Sequence, residues 1–140
     1  MLSNGPGPAK MTRDAFELLV AEAVRLIPDR FRREMHNLAL VVEDEPDATL
    51  LDEMEIEPPD SLYGLYQGTP LPERRWAEGN HLPDRITIYQ RPIEEDAEDD
   101  EDARDMIAET LIHEVGHYFG LSEDEIEEIE EKYWRGDIDE

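Results

Sequence analysis

The stretch that decides the fold runs from residue 111 to residue 125 and reads LIHEVGHYFGLSEDE. It holds two histidines four residues apart, His113 and His117, with Glu114 directly after the first. On an α-helix this spacing places both imidazoles on one face, one turn apart, where they can share a metal ion. Glu114 lies beside that face, where a carboxylate can take a proton from an attacking water. The segment therefore predicts a helix that carries a metal-dependent hydrolytic site.

The third metal ligand is expected just after this helix. A catalytic zinc ion usually takes three protein ligands, so two histidines leave the site incomplete. Gly120 lets the chain leave the helix with a positive φ and turn back toward the metal. Glu123 lies three residues further on, and its carboxylate is a competent oxygen ligand, with Asp124 as the near alternative.

The amino-terminal half predicts a helix followed by short strands. Thr12 can cap a helix whose apolar residues follow the three- and four-residue spacing of one buried face, and Pro28 ends it. A short helical turn is expected over residues 30–36, and an acidic, proline-containing loop over residues 44–60. Apolar and alternating patterns predict strands at residues 38–43, 61–67 and 85–90, with Gly64 easing a close approach in the second.

The carboxyl-terminal half predicts two helices. Residues 94–102 are all acidic except Ala97, and such a run is typical of a solvated, self-repelling loop. The motif helix is expected over residues 103–119, with Gly120 as its end. Ser122 and Glu125 have the spacing of a capping box that starts the last helix.

Composition excludes several functional classes. The chain has 140 residues, with 13 Lys and Arg against 38 Asp and Glu, so its net charge is −25. This acid excess argues against partners that are nucleic acids or anionic membrane surfaces. There is no cysteine, which excludes disulfides and thiolate ligands. Because there is no apolar run of the ~18 residues that a membrane span needs, and no signal peptide, we expect a cytoplasmic protein.

One domain is expected over residues 12–135, with a disordered leader at 1–11 and a tail at 136–140.

Several segments together resemble a known family. They are FELLVAEAVRLIPDRF at 16–31, GLYQGTPL at 64–71, LPDRITIYQRP at 82–92 and TLIHEVGHYFGLS at 110–122. In this order they resemble the small bacterial zincin-like metallopeptidases, whose motif is HExxHxxG followed three residues later by an acid. The resemblance implies a minimal zincin-like α+β fold: a small mixed sheet packed on the N-terminal helix and the motif helix, plus a C-terminal helix.

The resemblance also implies a role for each motif residue. His113 and His117 would be zinc ligands, Glu114 the general base, and the residue at 123 the third ligand. The family usually has Asp at that position, so Glu123 must sit further back to reach the metal with its extra methylene. The resemblance leaves open Mn, Fe or Co in place of zinc.

Aromatic support for the metal site is expected from a tyrosine. Metzincins place a methionine-containing turn beneath the metal, but all methionines of this chain lie upstream of the motif. Tyr133 is expected to pack beneath the histidine pair instead, and Tyr118 competes for this place.

The function expected from these features is zinc-dependent hydrolysis of peptide bonds. The substrate would be a peptide or protein that pairs in extended form with an edge strand, either 61–67 or 85–90. The sequence leaves open whether the protein forms a homodimer. Because 20 residues follow Gly120, we expect a shallow cleft. The alternative function is therefore a metal-binding or protein-interaction module with little turnover, which the net charge of −25 would steer toward a basic partner.

Overall fold

The fold packs helices around a small sheet. The computed structural model describes residues 11–33, 35, 38–57, 61–68 and 84–135. Within these residues the elements are α1 (Arg13–Arg25), α2 (Asp29–Arg32), β1 (Leu38–Glu43), α3 (Ala48–Glu53), β2 (Gly64–Gln67), β3 (Asp84–Tyr89), α4 (Gln90–Asp96), α5 (Asp100–Tyr118) and α6 (Glu123–Arg135). The predicted α+β class is confirmed.

The sheet has strand order β1-β3-β2, so β3 is its central strand. β1 runs parallel to β3 and places Leu40 opposite Ile86. β2 runs antiparallel to β3 and places Tyr66 opposite the same Ile86. Of the two strands expected to offer an edge, β3 is therefore interior, and β2 forms one edge of the sheet as far as the structure describes it.

The core lies between α1, α5 and the sheet. The face predicted for α1 is confirmed, since its regularly spaced apolar residues are buried or partly buried against the rest of the core. Ile86 and Ile88 of β3 are fully buried on the sheet side. Each such isoleucine contributes about 1.5–3 kcal/mol on burial, so this cluster helps to fix α5 in place. The fully buried α5 residues in this cluster are Ala103, Ile107, Ala108 and Leu111.

The ends of α1 follow the sequence signals. The Thr12 hydroxyl accepts a hydrogen bond from the Ala15 N–H at 3.1 Å, which confirms the predicted cap. The helix ends at Arg25, before Pro28, and α2 follows directly as a shorter turn than predicted. Met11, placed in the leader by the sequence, donates its N–H to Glu94 at 3.1 Å. The rest of the predicted leader and the tail at 136–140 lie outside the described residues.

The prediction of a continuous loop over residues 44–60 is wrong, because α3 lies within it. Asp47 is extended, and its C=O accepts from the Leu51 N–H at 3.1 Å, which starts the helical ladder. None of the α3 residues is buried, so the helix lacked the apolar periodicity that makes such elements visible in a sequence. Glu55, two residues after the helix, has a φ of +60° and ends the segment in a left-handed turn.

The acidic run at 94–102 is also not a single loop. β3 ends at Tyr89 and α4 begins immediately at Gln90, with Pro92 in its first turn, where a missing N–H is tolerated. α5 begins at Asp100, three residues earlier than predicted. Asp99 caps it by accepting from the Asp102 N–H at 2.8 Å. The loop prediction is wrong because acids at a helix N-terminus interact favourably with the macrodipole instead of only repelling one another.

Helix α6 packs on α5 at Gly116, which lies between the two histidines of the motif. A Cβ placed on Gly116 would lie 2.5 Å from Cγ1 of Ile126, a separation that real side chains do not reach. Ile126 is itself almost fully buried. The absence of a side chain at 116 therefore sets how closely α6 approaches the motif. No helix in the described part of the chain has the length and apolar character needed to cross a bilayer.

We expect Gly116→Ala to destabilise the protein. Alanine gains about 1 kcal/mol of helix propensity over glycine, whereas overpacking against Ile126 costs about 1–3 kcal/mol. Urea unfolding followed by circular dichroism measures the balance. In a double-mutant cycle, Ile126→Ala removes the opposing atoms, so the double variant should lose less stability than the sum of the two single variants. An additive cycle, or a more stable Gly116→Ala, would contradict the close contact.

Candidate metal centre

The motif residues project from α5 as the spacing predicts. The imidazole rings of His113 and His117 lie 4.9 Å apart between centroids, at an interplanar angle of 73°. His113, Glu114 and His117 each offer a potential ligand atom, and these atoms lie within 4.8 Å of one another. All three side chains are half-buried, so the group opens to the surface instead of being sealed in the core.

The turn after α5 is fixed by two backbone hydrogen bonds. Gly120 has a φ of +76°, and its N–H donates to the His117 carbonyl at 2.9 Å. The Leu121 N–H donates to the Gly116 carbonyl at 3.0 Å. This pair of bonds is a Schellman motif, whose left-handed residue is usually glycine. The predicted helix end at Gly120 is confirmed, and the chain turns back toward the histidines.

The start of α6 is fixed by the predicted capping box. The Ser122 N–H donates to the Glu125 carboxylate at 2.8 Å, and the Glu125 N–H donates to the Ser122 hydroxyl at 3.1 Å. The reciprocal bonds satisfy two N–H groups that the helix leaves without intrahelical partners. Glu123, the first residue of α6, is thereby held at the end of the turn.

The Glu123 carboxylate lies against both imidazoles. Its Oε1 is 3.5 Å from Nε2 of His113, and its Oε2 is 3.3 Å from Nε2 of His117. Of the two acids considered for the third ligand, it is thus Glu123 that lies against the ring nitrogens, while Asp124 is an exposed neighbour in the first turn of α6. The longer side chain of glutamate lets its carboxylate reach both rings from this position.

These separations suit a tetrahedral cation. Zinc ligands at about 2.0–2.2 Å from the ion lie about 3.3–3.6 Å from one another in a tetrahedron. The two nitrogen–oxygen distances at Glu123 fall in this range. Two imidazoles and one carboxylate are also a donor set that catalytic zinc sites use. The residues present therefore supply donors of the kind that a zinc site uses, with the two ring nitrogens facing different oxygens of the Glu123 carboxylate.

Glu130 was not singled out by the sequence. Its carboxylate lies 3.4 Å from Nδ1 of His113, on the side of the ring opposite to Nε2. A proton on Nδ1 that points to this carboxylate leaves the lone pair of Nε2 facing Glu123, which is the tautomer that a metal ligand needs. Position 130 follows 123 by two helical turns, so the 3.6-residue period of α6 was the signal that could have found it.

Glu114 is held by the neighbouring strand. Its Oε1 accepts a hydrogen bond of 2.8 Å from the backbone N–H of Tyr66 in β2. Burial raises the pKa of the Glu114 carboxyl above its ordinary value, while this hydrogen bond and the two histidines oppose the rise. A buried carboxylate with a raised pKa is a stronger base than an exposed one. Glu114 therefore faces both the metal-binding side chains and the sheet edge.

Strand β2 lies close to α5 because position 64 is glycine. A Cβ on Gly64 would lie 2.6 Å from Cγ2 of Thr110. The Tyr89 N–H donates to the Tyr63 carbonyl at 2.9 Å, so the alternation of an antiparallel ladder turns the backbone groups of Gly64 and Tyr66 away from β3. The expected close approach at Gly64 is confirmed, although β2 is shorter than the strand predicted over 61–67.

Support of the histidine pair by a tyrosine stays a prediction. Tyr118 is buried, and its ring packs against Tyr66 of β2 at 5.9 Å and against Phe119 at 5.3 Å between centroids. It therefore supports the contact between α5 and β2. Tyr133 lies in α6, but its side chain lies outside the described residues, so its packing beneath the histidines stays a prediction.

Comparisons with known proteins agree with this geometry. The family described as zincin-like metallopeptidase matches residues 35–133, which contain the whole of α5 and most of α6. No curated protein matches the chain. The match spans well over half of the sequence and includes every residue of the candidate metal centre. The chain belongs to the zincin-like metallopeptidase family.

Proposed function

We propose that this protein is a zinc-dependent peptidase that hydrolyses peptide bonds. The observation that carries the proposal is the convergence of two imidazole nitrogens and the Glu123 carboxylate beside Glu114. Membership of the zincin-like family supports it. In this proposal His113, His117 and Glu123 are the metal ligands, and Glu114 is the catalytic base.

A zinc ion bound there would polarise the scissile carbonyl and lower the pKa of the attacking water toward ~7. Iron, manganese or cobalt would suit the same nitrogen and oxygen donors, so metal identity depends on supply as well as on geometry. Glu130 would orient His113 from behind and keep its metal-facing nitrogen unprotonated.

Glu114 would move the proton during hydrolysis. Its carboxylate would accept the proton of the attacking water and pass it to the leaving amine. Because the Tyr66 N–H holds one of its carboxylate oxygens, the Glu114 side chain is already ordered before the substrate binds. The partial burial that raises its pKa also keeps its basicity high.

Strand β2 would receive the substrate. Its edge lies beside Glu114, where the Tyr66 N–H holds the Glu114 carboxylate and the backbone groups of Gly64 point away from β3. An extended peptide can add to such an edge through main-chain hydrogen bonds. Of the two strands predicted to receive the substrate, β3 is the central strand of the sheet, so β2 is the one that offers an edge.

The ligand assignment predicts which acid the metal needs. Protein purified without chelator should contain about one zinc per chain, and replacing His113 and His117 together by alanine should abolish binding. Glu123→Ala should weaken zinc binding at least ~10-fold, whereas Asp124→Ala, a matched change next to it, should not. Elemental analysis measures the zinc content, and competition with a chelating dye measures the change in zinc affinity. Equal effects at 123 and 124 would contradict the assignment.

The role of Glu114 predicts a separation of binding from turnover. Glu114→Gln should lower peptide hydrolysis by about 10²–10⁴-fold while zinc content stays near that of the wild type. The glutamine carbonyl can still accept from Tyr66, so circular dichroism should show an unchanged fold. A zinc-loaded wild-type protein that hydrolyses no peptide in a mixed library would overturn the proposal and favour a metal-binding interaction module.

A further inference from the structure

Two clefts share part of their lining, and we call the two together the acidic groove. The first, of about 340 Å³, lies between the start of β2, α5 and α6, and His113 and Glu114 form part of its wall. The second, of about 890 Å³, continues past Ser61 and Tyr63, which line both clefts. The groove therefore runs from the proposed catalytic site past residues 61–63, which directly precede β2.

The charges on the groove walls have one sign. Glu109 and Glu130 line the first cleft together with Glu114. Among the described lining residues, His113 is the one basic side chain, and there is no lysine or arginine. The acids that line the second cleft are Glu55, Glu57, Glu95 and Asp96.

The carboxylates of the first cleft act on each other and on their neighbours. Burial raises the pKa of Glu130, and repulsion from Glu109 and Glu123 adds to the rise, against the opposing effect of His113. Burial and a hydrogen bond to Asp96, with further repulsion from Asp102 and Glu109, raise the pKa of Tyr63 to about 12. The described walls of the groove thus carry an excess of carboxylates, with His113 as their one basic side chain.

We propose that the acidic groove selects substrates that carry a lysine or arginine side chain next to the bond to be cleaved, and that Glu109 and Glu130 bind this side chain. The inference rests on the proposed peptidase function and names the substrate class of that site. Basic peptide segments fit, because a cleft walled by one sign of charge concentrates ligands of the opposite sign.

The geometry of strand addition explains why one side chain of the bound peptide would determine specificity. Successive side chains of an extended peptide point to opposite faces, about 3.3 Å apart along the strand. A peptide lying along β2 would therefore turn alternate side chains toward α5, where Glu109 and His113 lie one helical turn apart. Arginine suits this place better than lysine, since its planar guanidinium can bind two carboxylates through separate N–H groups.

The test uses a series of octapeptides that are identical except for Arg, Gln or Glu placed at each position in turn. Hydrolysis by the zinc-loaded wild type gives kcat/KM, and binding to zinc-loaded Glu114→Gln gives Kd for the same peptides. We expect Arg at one or two positions near the cleaved bond to improve kcat/KM and Kd at least ~10-fold over Gln, and Glu to weaken both.

Single-site variants then locate the effect. Glu109→Gln should reduce the Arg-to-Gln ratio by about threefold, the size expected for one exposed charge pair. Glu128→Gln is the matched control, because it removes the same charge from an exposed site on α6 that lines neither cleft. Equal reductions in the two variants would show attraction by net charge alone and overturn the inference.

The outcomes also separate this inference from the proposed function. If the wild type hydrolyses peptides with no preference for Arg over Gln, the inference fails and the peptidase function stands. If no peptide is hydrolysed, the function fails, and the Kd values still decide whether the groove selects basic peptides. Equal Kd values for the Arg and Gln peptides would overturn it in that case as well.

Discussion

The contact between Gly116 of α5 and Ile126 of α6 is the constraint on which the metal centre depends. The two imidazoles and Gly116 belong to the same helix, so their spacing is set by helical geometry alone. The carboxylate of Glu123 comes from a different helix and reaches the rings because α6 crosses α5 without an intervening side chain. The Schellman turn at Gly120 then returns the chain in the few residues available.

Acidic residues serve three different purposes in this chain. At the start of α5, Asp99 caps the helix and the acids after it interact with its dipole, which lowers the cost of their mutual repulsion. At the metal centre, Glu114, Glu123 and Glu130 lie around two imidazoles. In the acidic groove, carboxylates line the walls with no described lysine or arginine among them. Net charge alone did not distinguish these environments.

The sequence predicted the local features that depend on neighbouring residues. The cap at Thr12, the burial of one face of α1, the end of α5 at Gly120 and the capping box at Ser122 all follow from spacings of a few positions. The close approach of β2 at Gly64 was also expected, since glycine within a strand often marks such contact.

Other features depend on partners that are distant in sequence. Glu130 lies next to His113 only because α6 packs on α5, and Gly116 has its role only once Ile126 faces it. The choice between the two candidate edge strands required the strand order of the sheet, which alternation of apolar residues does not encode. Helix α3 escaped prediction because it buries none of its residues.

The bond between Glu114 and β2 has a consequence for how the protein can vary. The donor is the main-chain N–H of Tyr66, so the identity of the side chain at this position does not affect the anchor itself. A substitution at residue 66 therefore leaves the donor in place, although it removes the packing of the Tyr66 ring on Tyr118 that helps to hold β2 against α5. Proline is the exception, because it has no N–H to donate, and we expect selection to exclude it there.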